Sequence, residues 1–142
     1  MSGTPHPPSA PPPQATILIV EDEAALRRVL ERVLVREGYR VLAAASAETA
    51  YELLASEPAD AVLLDVQLPT MSGLALYLAL IHRHPGLAGQ IAIMSGDAEA
   101  EHVRVWLERN PCTVLRKPFD LKQIVEWAHE LLDATDQRSG NG

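Results

Sequence analysis

The feature that most constrains the fold is a fivefold alternation of short apolar runs with longer segments of helical periodicity. The runs cover residues 16–20, 39–43, 61–64, 91–94 and 113–115. They are rich in β-branched and aliphatic side chains, as in TILIV at 16–20, which is typical of buried strands. Five β–α units predict an α/β fold: a doubly wound, five-stranded parallel sheet with helices on both faces.

Capping residues and apolar spacing set the predicted helix limits. Apolar residues at helical spacing begin at Leu26, and Gly38 is expected to end that helix. Ser46 and Asp120 are predicted N-caps, the latter for a last helix running to about residue 134. Another helix is expected over about 98–108. The helix that ends near residue 83 carries four residues predicted to be core: Leu76, Leu78, Leu80 and Ile81.

Length and composition allow one domain. The chain has 142 residues, a net charge of −7 and one cysteine, Cys112, so an intramolecular disulfide is excluded. Residues 1–15 are rich in proline and residues 135–142 are polar, which predicts two flexible tails around a domain at 16–134. The acidic balance disfavours nucleic acid and membrane partners. Without a signal peptide or membrane span, a cytoplasmic location is expected.

Polar residues follow the predicted strands at what would be one edge of the sheet. Glu21 and Asp22 follow the first strand, Asp65 the third, Ser95 the fourth and Lys117 the fifth. Ligands of such sheets bind at the carboxyl ends of the strands. Crowded carboxylates suit a hard cation such as Mg²⁺ or Mn²⁺. A carboxylate beside a cation, a lysine and a hydroxyl can act as a nucleophile towards phosphorus.

Four motifs at these positions resemble the receiver domains of two-component response regulators. The motifs are Val20-Glu21-Asp22-Glu23; Leu64-Asp65 with Leu68-Pro69 and Met71-Ser72-Gly73; Met94-Ser95-Gly96; and Lys117-Pro118-Phe119. The resemblance covers about residues 15–134. Each motif alone is weak, but four in order, each at a strand end, are specific. A flavodoxin-like, CheY-like fold is implied.

The resemblance assigns roles to the acidic positions. Asp65 matches the phosphoacceptor, which also binds the metal. Asp22 matches a direct metal ligand, and Glu21 matches one that usually acts through water. Gln67 matches the position whose backbone carbonyl completes the metal site.

The resemblance also assigns the residues that respond to phosphorylation. Ser95 matches the hydroxyl that moves towards the phosphoryl group, and Lys117 matches the lysine that pairs with it. The Lys117–Pro118 peptide matches one that is commonly cis. Val114 departs from the family, which often has an aromatic switch residue there, and a valine cannot report movement of Ser95 by swinging a ring between buried and exposed positions.

Partners are implied by the resemblance alone. A sensor histidine kinase or a histidine phosphotransfer protein is expected as donor, docking near the first helix. A downstream protein target, or onward transfer to a second histidine, is expected as output. The chain is expected to be a monomer or weak dimer. A stand-alone regulator is the simplest interpretation, and a receiver from a hybrid sensor kinase is an alternative.

Two other functions use similar residues. Phosphatases of the haloacid dehalogenase type also use a strand-end aspartate with Mg²⁺, but they place a second aspartate two residues later. Gln67 occupies that place and cannot shuttle a proton at neutral pH, so an enzyme is not expected. A pseudo-receiver, a protein-binding module that is not phosphorylated, typically lacks the acceptor, the acidic pair or the lysine, all of which are present here.

Overall fold

A single parallel sheet organises the protein. The computed structural model describes residues 14–133. Its strands are β1 (Thr16–Val20), β2 (Arg40–Ala44), β3 (Ala61–Asp65), β4 (Ile91–Ser95) and β5 (Thr113–Arg116). They lie in the order β2-β1-β3-β4-β5, and every neighbouring pair is parallel. The predicted doubly wound five-stranded sheet is confirmed.

Five α-helices connect and follow the strands. They are α1 (Ala24–Arg36), α2 (Ala47–Ser56), α3 (Gly73–Arg83), α4 (Glu101–Arg109) and α5 (Leu121–Ala128). A 3₁₀ turn covers Pro85–Leu87, and α5 continues as one π-helical turn, His129–Asp133. None of the helices within residues 14–133 is long and apolar enough to cross a membrane.

Alternate residues of the central strands build two separate cores. Leu18 points into the core beneath α2, α3 and α4, whereas its neighbour Ile19 points into the core beneath α1 and α5. All side chains of β1, β3 and β4 are buried. This burial holds the carboxyl ends of three strands rigidly side by side.

Three helices begin at a side-chain cap. Ser46, Ser72 and Asp120 accept hydrogen bonds from the backbone N–H groups of Thr49, Leu74 and Lys122, respectively. The predictions of Ser46 and Asp120 as N-caps are therefore confirmed. Gly38 follows the C-cap of α1 with φ of 99°, a left-handed conformation that favours glycine.

Several predicted details were wrong. Leu78 was expected in the core but is 42% exposed, because Leu76, Tyr77 and Leu80 take the sheet-facing side of α3. Helix α4 begins at Glu101 rather than at residue 98. Regular α-helix also ends at Ala128, before the π-helical turn.

The predicted tails fall almost wholly outside the described part of the chain. Of residues 1–15 only Gln14 and Ala15 are described, and none of 135–142 is. Gln14, Ala15 and Leu132 line one cavity of about 710 Å³, together with the turn that precedes β4. Both ends of the described chain therefore meet at the amino-terminal edge of the sheet.

A histidine clasp joins the π-helical turn to the end of α1. Nε2 of His129 lies 2.8 Å from Oε1 of Glu37, and Nδ1 lies 2.5 Å from Oδ2 of Asp133. The Tyr39 hydroxyl donates to the other Asp133 oxygen at 3.2 Å. Both ring nitrogens face carboxylates, and only the imidazolium donates from both. Hydrogen bonds to Glu37 and Asp133 raise the pKa of His129.

This clasp predicts a pH-dependent stability. A raised histidine pKa adds stability that is complete below the unfolded pKa of about 6.5 and is lost as pH rises through the folded pKa. His129→Gln should therefore lower the urea midpoint at about pH 6 and have little effect at about pH 9. The side chain of His129 is 40% exposed, so we expect the substitution to lower the free energy of unfolding at about pH 6 by less than about 1 kcal/mol. His102→Gln, on the exposed side of α4, is the control. If the urea midpoints of His129→Gln and His102→Gln depended on pH in the same way, the predicted contribution of the clasp to stability would be wrong.

Candidate functional site

The carboxyl edge of the sheet gathers the polar residues that the sequence places at the strand ends. Strand pairing sets Val20 beside Leu64, Asp65 beside Met94, and Ser95 beside Arg116. Strands β1 and β4 therefore flank the end of β3, and Lys117, which follows β5, reaches Asp65 across the end of β4. Because β1, β3 and β4 are fully buried and paired in register, the site is built on tightly packed strands.

Asp65 and Lys117 form the central contact. Lys117 Nζ donates to Asp65 Oδ2 at 2.6 Å, and the Gln67 backbone N–H donates to Asp65 Oδ1 at 2.8 Å. Asp65 is only 5% exposed. The backbone of Lys117 is fixed as well, because its N–H donates to the carbonyl of Ser95 at 2.8 Å. Both carboxylate oxygens are thus held in defined directions.

Glu21 shares the same lysine. Its Oε1 accepts from Lys117 Nζ at 3.0 Å, and its Oε2 accepts from the Glu23 backbone N–H at 3.1 Å. Glu21 is 1% exposed, and this burial raises its pKa despite the bond to Lys117. Burial would lower the pKa of Lys117, but its bonds to Asp65 and Glu21 outweigh that, so the lysine pKa is raised. Lys117 therefore stays charged beside the two carboxylates.

Three carboxylates converge beside the lysine. Glu21, Asp22 and Asp65 each offer an oxygen within 4.8 Å of the others. Glu21 and Asp65 are buried, whereas Asp22 is exposed, so the cluster opens to solvent on one side. One ammonium does not balance three carboxylates, and this hard oxygen set fits a cation such as Mg²⁺ that keeps part of its water shell. The acidic cluster is compatible with Mg²⁺ binding.

The remaining predicted site residues lie at or near this edge. Ser95 is buried, and its Oγ accepts from the Asp97 backbone N–H at 3.1 Å. The side chain of Gln67 is exposed. The Lys117–Pro118 peptide is cis. Val114 is half-buried in β5 and borders a surface cavity of about 360 Å³ that Leu107 also lines.

Two residues that hold the site were missed by the sequence predictions. A Cβ on Gly73 would lie 2.0 Å from the Asp65 carbonyl oxygen, so the start of α3 packs directly on the backbone of the central aspartate. Arg27 reaches back from α1 to the carbonyl oxygens of Glu21 and Asp22. The Met71-Ser72-Gly73 motif was a sequence signal for Gly73, but the sequence offers no comparable signal for Arg27.

Comparison with known proteins gives consistent matches. The family described as "Response regulator receiver domain" matches residues 17–129. The DNA-binding transcriptional regulator NtrC of Azospirillum brasilense is 32% identical over 120 residues, which are 84% of this chain and 24% of NtrC. The sensor kinase CckA of Brucella abortus is 36% identical over 124 residues, which are 86% of this chain and 13% of CckA.

A solved structure shows the same fold. The CheY-like receiver domain protein from Methanospirillum hungatei superposes with a TM-score of 0.78 at 26% identity, over 88% of this chain and 98% of that one. The curated relatives are longer: this chain spans 24%, 49% and 51% of three of them.

Proposed function

Because the chain belongs to the response regulator receiver domain family, we propose that Asp65 accepts a phosphoryl group from a phosphohistidine, with Mg²⁺ held by the acidic cluster. The observation that supports this most is the contact of Asp65 with Lys117 inside a group of three carboxylates. A structural ion pair would need only one carboxylate for one lysine. The two additional carboxylates call for a second cation.

The chemistry follows from what each side chain does. An oxygen of Asp65 attacks phosphorus, an O–P bond forms, and the P–N bond of the donor breaks. The imidazole nitrogen keeps the bonding electron pair and takes up a proton. The Gln67 N–H and Lys117 fix the Asp65 carboxylate before the donor arrives. Bound Mg²⁺ would neutralise charge on the phosphoryl oxygens.

Lys117 and Ser95 would then respond to the new group. Lys117 already touches Asp65 and can transfer its hydrogen bonds to a phosphoryl oxygen. Ser95 Oγ would exchange its bond from the Asp97 N–H for a phosphoryl contact and donate to it. Such a change biases a two-state equilibrium, which is how local charge becomes a signal.

The partner follows from the family. Receiver domains interact with histidine kinases or phosphotransfer proteins, and we propose one of these as donor. Receiver domains are in general signalling modules rather than enzymes. Here the output is a protein-binding switch or onward transfer to a second histidine. With Val114 in place of an aromatic ring, the signal would leave Ser95 by a path other than ring rotation.

Intact-mass spectrometry tests the proposal. The protein is incubated with acetyl phosphate and Mg²⁺, and an adduct of one phosphoryl group is expected. The adduct should not form with EDTA in place of Mg²⁺. Borohydride reduction of the acyl phosphate followed by peptide mapping should locate it at Asp65.

Two other outcomes separate the alternatives. A folded protein that forms no adduct with any donor, and binds no beryllofluoride, would overturn the proposal in favour of a protein-binding pseudo-receiver. An adduct that maps to another residue would overturn the assignment of Asp65. Asp65→Asn serves as the control, since it keeps the shape of the side chain and removes the nucleophile.

A further inference from the structure

The loop between β1 and α1 carries two of the three clustered carboxylates. It consists of Glu21, Asp22 and Glu23, and α1 begins directly after it. The N-cap residue, Glu23, makes no side-chain capping bond among the described residues. Helices α2, α3 and α5 each have such a cap. The start of α1 thus lacks the side-chain cap that three other helix starts possess, and its loop is held by other bonds, such as that from the Glu21 N–H to the Ala44 carbonyl.

Arg27 connects this loop to α1 through its side chain. Its Nη1 donates to the Glu21 carbonyl oxygen at 2.8 Å and lies 3.4 Å from that of Asp22. Its backbone N–H donates to the Glu23 carbonyl at 2.9 Å. One residue therefore contacts three consecutive carbonyl oxygens. The guanidinium carries a positive charge, which strengthens its contacts with the Glu21 and Asp22 carbonyls.

These contacts orient the peptide planes of the acidic pair. A carbonyl oxygen bonded to Arg27 points towards α1, and its direction restricts where the carboxylate of the same residue projects. We infer that Arg27 is a positioning residue for the metal site: it preorganises Glu21 and Asp22 so that their oxygens meet that of Asp65. This inference rests on the proposed Mg²⁺-dependent function.

The charge of Arg27, taken alone, predicts that its removal would tighten Mg²⁺ binding rather than weaken it. A guanidinium near a cation site repels the cation, so its removal would tighten Mg²⁺ binding if repulsion dominated. Arg27 bonds to the carbonyls of Glu21 and Asp22 and not to their carboxylates, so it does not compete with the metal for carboxylate oxygens. Groups that orient metal ligands typically change metal affinity by about 10–100-fold when they are removed. Positioning is therefore expected to outweigh repulsion.

The test measures Mg²⁺ affinity directly. Isothermal titration with MgCl₂ is run on the parent chain, Arg27→Gln and Arg28→Gln. Arg28 is the adjacent exposed arginine on α1, so both variants lose the same charge. The dissociation constant should rise about tenfold in Arg27→Gln and stay within about twofold in Arg28→Gln. Equal affinities, or tighter binding by Arg27→Gln, would overturn the inference.

A second readout separates positioning from simple loss of stability. The rate of acetyl phosphate labelling is followed against Mg²⁺ concentration. Arg27→Gln should need about tenfold more Mg²⁺ for half-maximal rate yet reach the parent maximum at saturation. A lower maximum with an unchanged Mg²⁺ dependence would indicate a merely structural role and overturn the inference.

Two further outcomes are distinguishable. If Arg27→Gln does not fold, Arg27→Lys is used instead, because lysine keeps the charge but lacks the planar guanidinium fork. Arg27→Lys should also bind Mg²⁺ more weakly than the parent. Parent-like Mg²⁺ affinity of this variant would overturn the inference. If the parent itself binds no Mg²⁺, the proposed function fails, whatever the variants do.

Discussion

Lys117→Met is expected to destabilise the metal-free protein and to slow phosphorylation severely. The substitution leaves Glu21 and Asp65, which are 1% and 5% exposed, without their shared cation. Removing one partner of a buried ion pair costs about 3–5 kcal/mol. Because Lys117 is itself 25% exposed, we expect a smaller loss, about 2 kcal/mol.

The loss should depend on pH in a defined direction. Burial already raises the pKa of Glu21, and removing the hydrogen bond from Lys117 raises it further. The destabilisation is therefore largest at neutral pH, where Glu21 is charged, and shrinks as the pH falls and Glu21 takes up a proton. Added Mg²⁺ should also restore part of the stability, since it supplies the missing positive charge.

The kinetic effect concerns the same contact. Loss of one preorganised donor at a site of developing charge typically slows a reaction by about 10²–10³-fold. The rate of labelling by acetyl phosphate at saturating Mg²⁺ should therefore fall by about 10²–10³-fold. Lys122→Met is the matched control, because Lys122 is exposed on α5. Urea unfolding at two pH values and intact-mass kinetics measure both effects. Parent-like labelling by Lys117→Met would refute the assigned role of Lys117.

Gly73→Ala is expected to damage the site without altering any polar group. The added methyl would lie 2.0 Å from the Asp65 carbonyl oxygen and 2.7 Å from the Val66 Cα. These neighbours are backbone atoms of β3 and its exit, which cannot rotate away as a side chain can. Gly73 N–H also donates to the Val66 carbonyl at 2.7 Å, so the start of α3 cannot withdraw without losing this bond. We expect a loss of about 3 kcal/mol.

A second glycine gives the control for this prediction. Gly86 lies in the 3₁₀ turn, and nothing stands within 4 Å of a Cβ built there. Gly86→Ala should stay within about 0.5 kcal/mol of the parent in urea unfolding. Mg²⁺ affinity should fall in Gly73→Ala only, because Asp65 shifts with its backbone. Equal free energies of unfolding of the two variants would show that the start of α3 can move away from the added methyl group with little loss of stability.

The sheet and its polar edge were predictable because their causes are local. Buried parallel strands require uninterrupted apolar runs, and β1, β3 and β4 consist of such runs. Strand topology then brings their ends together. Ser46 and Asp120 were predictable as caps for the same reason, since a cap bonds to backbone only two or three residues away.

The missed features depend on contacts that periodicity does not encode. His129 bonds to Glu37, which is 92 residues away in the sequence. Nothing in the sequence distinguishes either residue from an ordinary solvent-exposed charged side chain. Leu78 shows that an apolar helix does not reveal which residues face outwards when most positions are apolar. The roles of Arg27 and Gly73 depend on backbone atoms as partners, and any sequence supplies those. The residue roles within the site remain predictions for the experiments above.

Residues 14–133 begin and end at the amino-terminal edge of the sheet, which leaves the acidic edge clear of both. Ala15 and Leu132, close to the two ends of the described residues, line one cavity at the edge opposite Asp65. A unit with this geometry can be joined to other domains at either end without covering its acidic edge. Relatives in which this unit forms 13%, 24% or 51% of the length illustrate how freely it is combined.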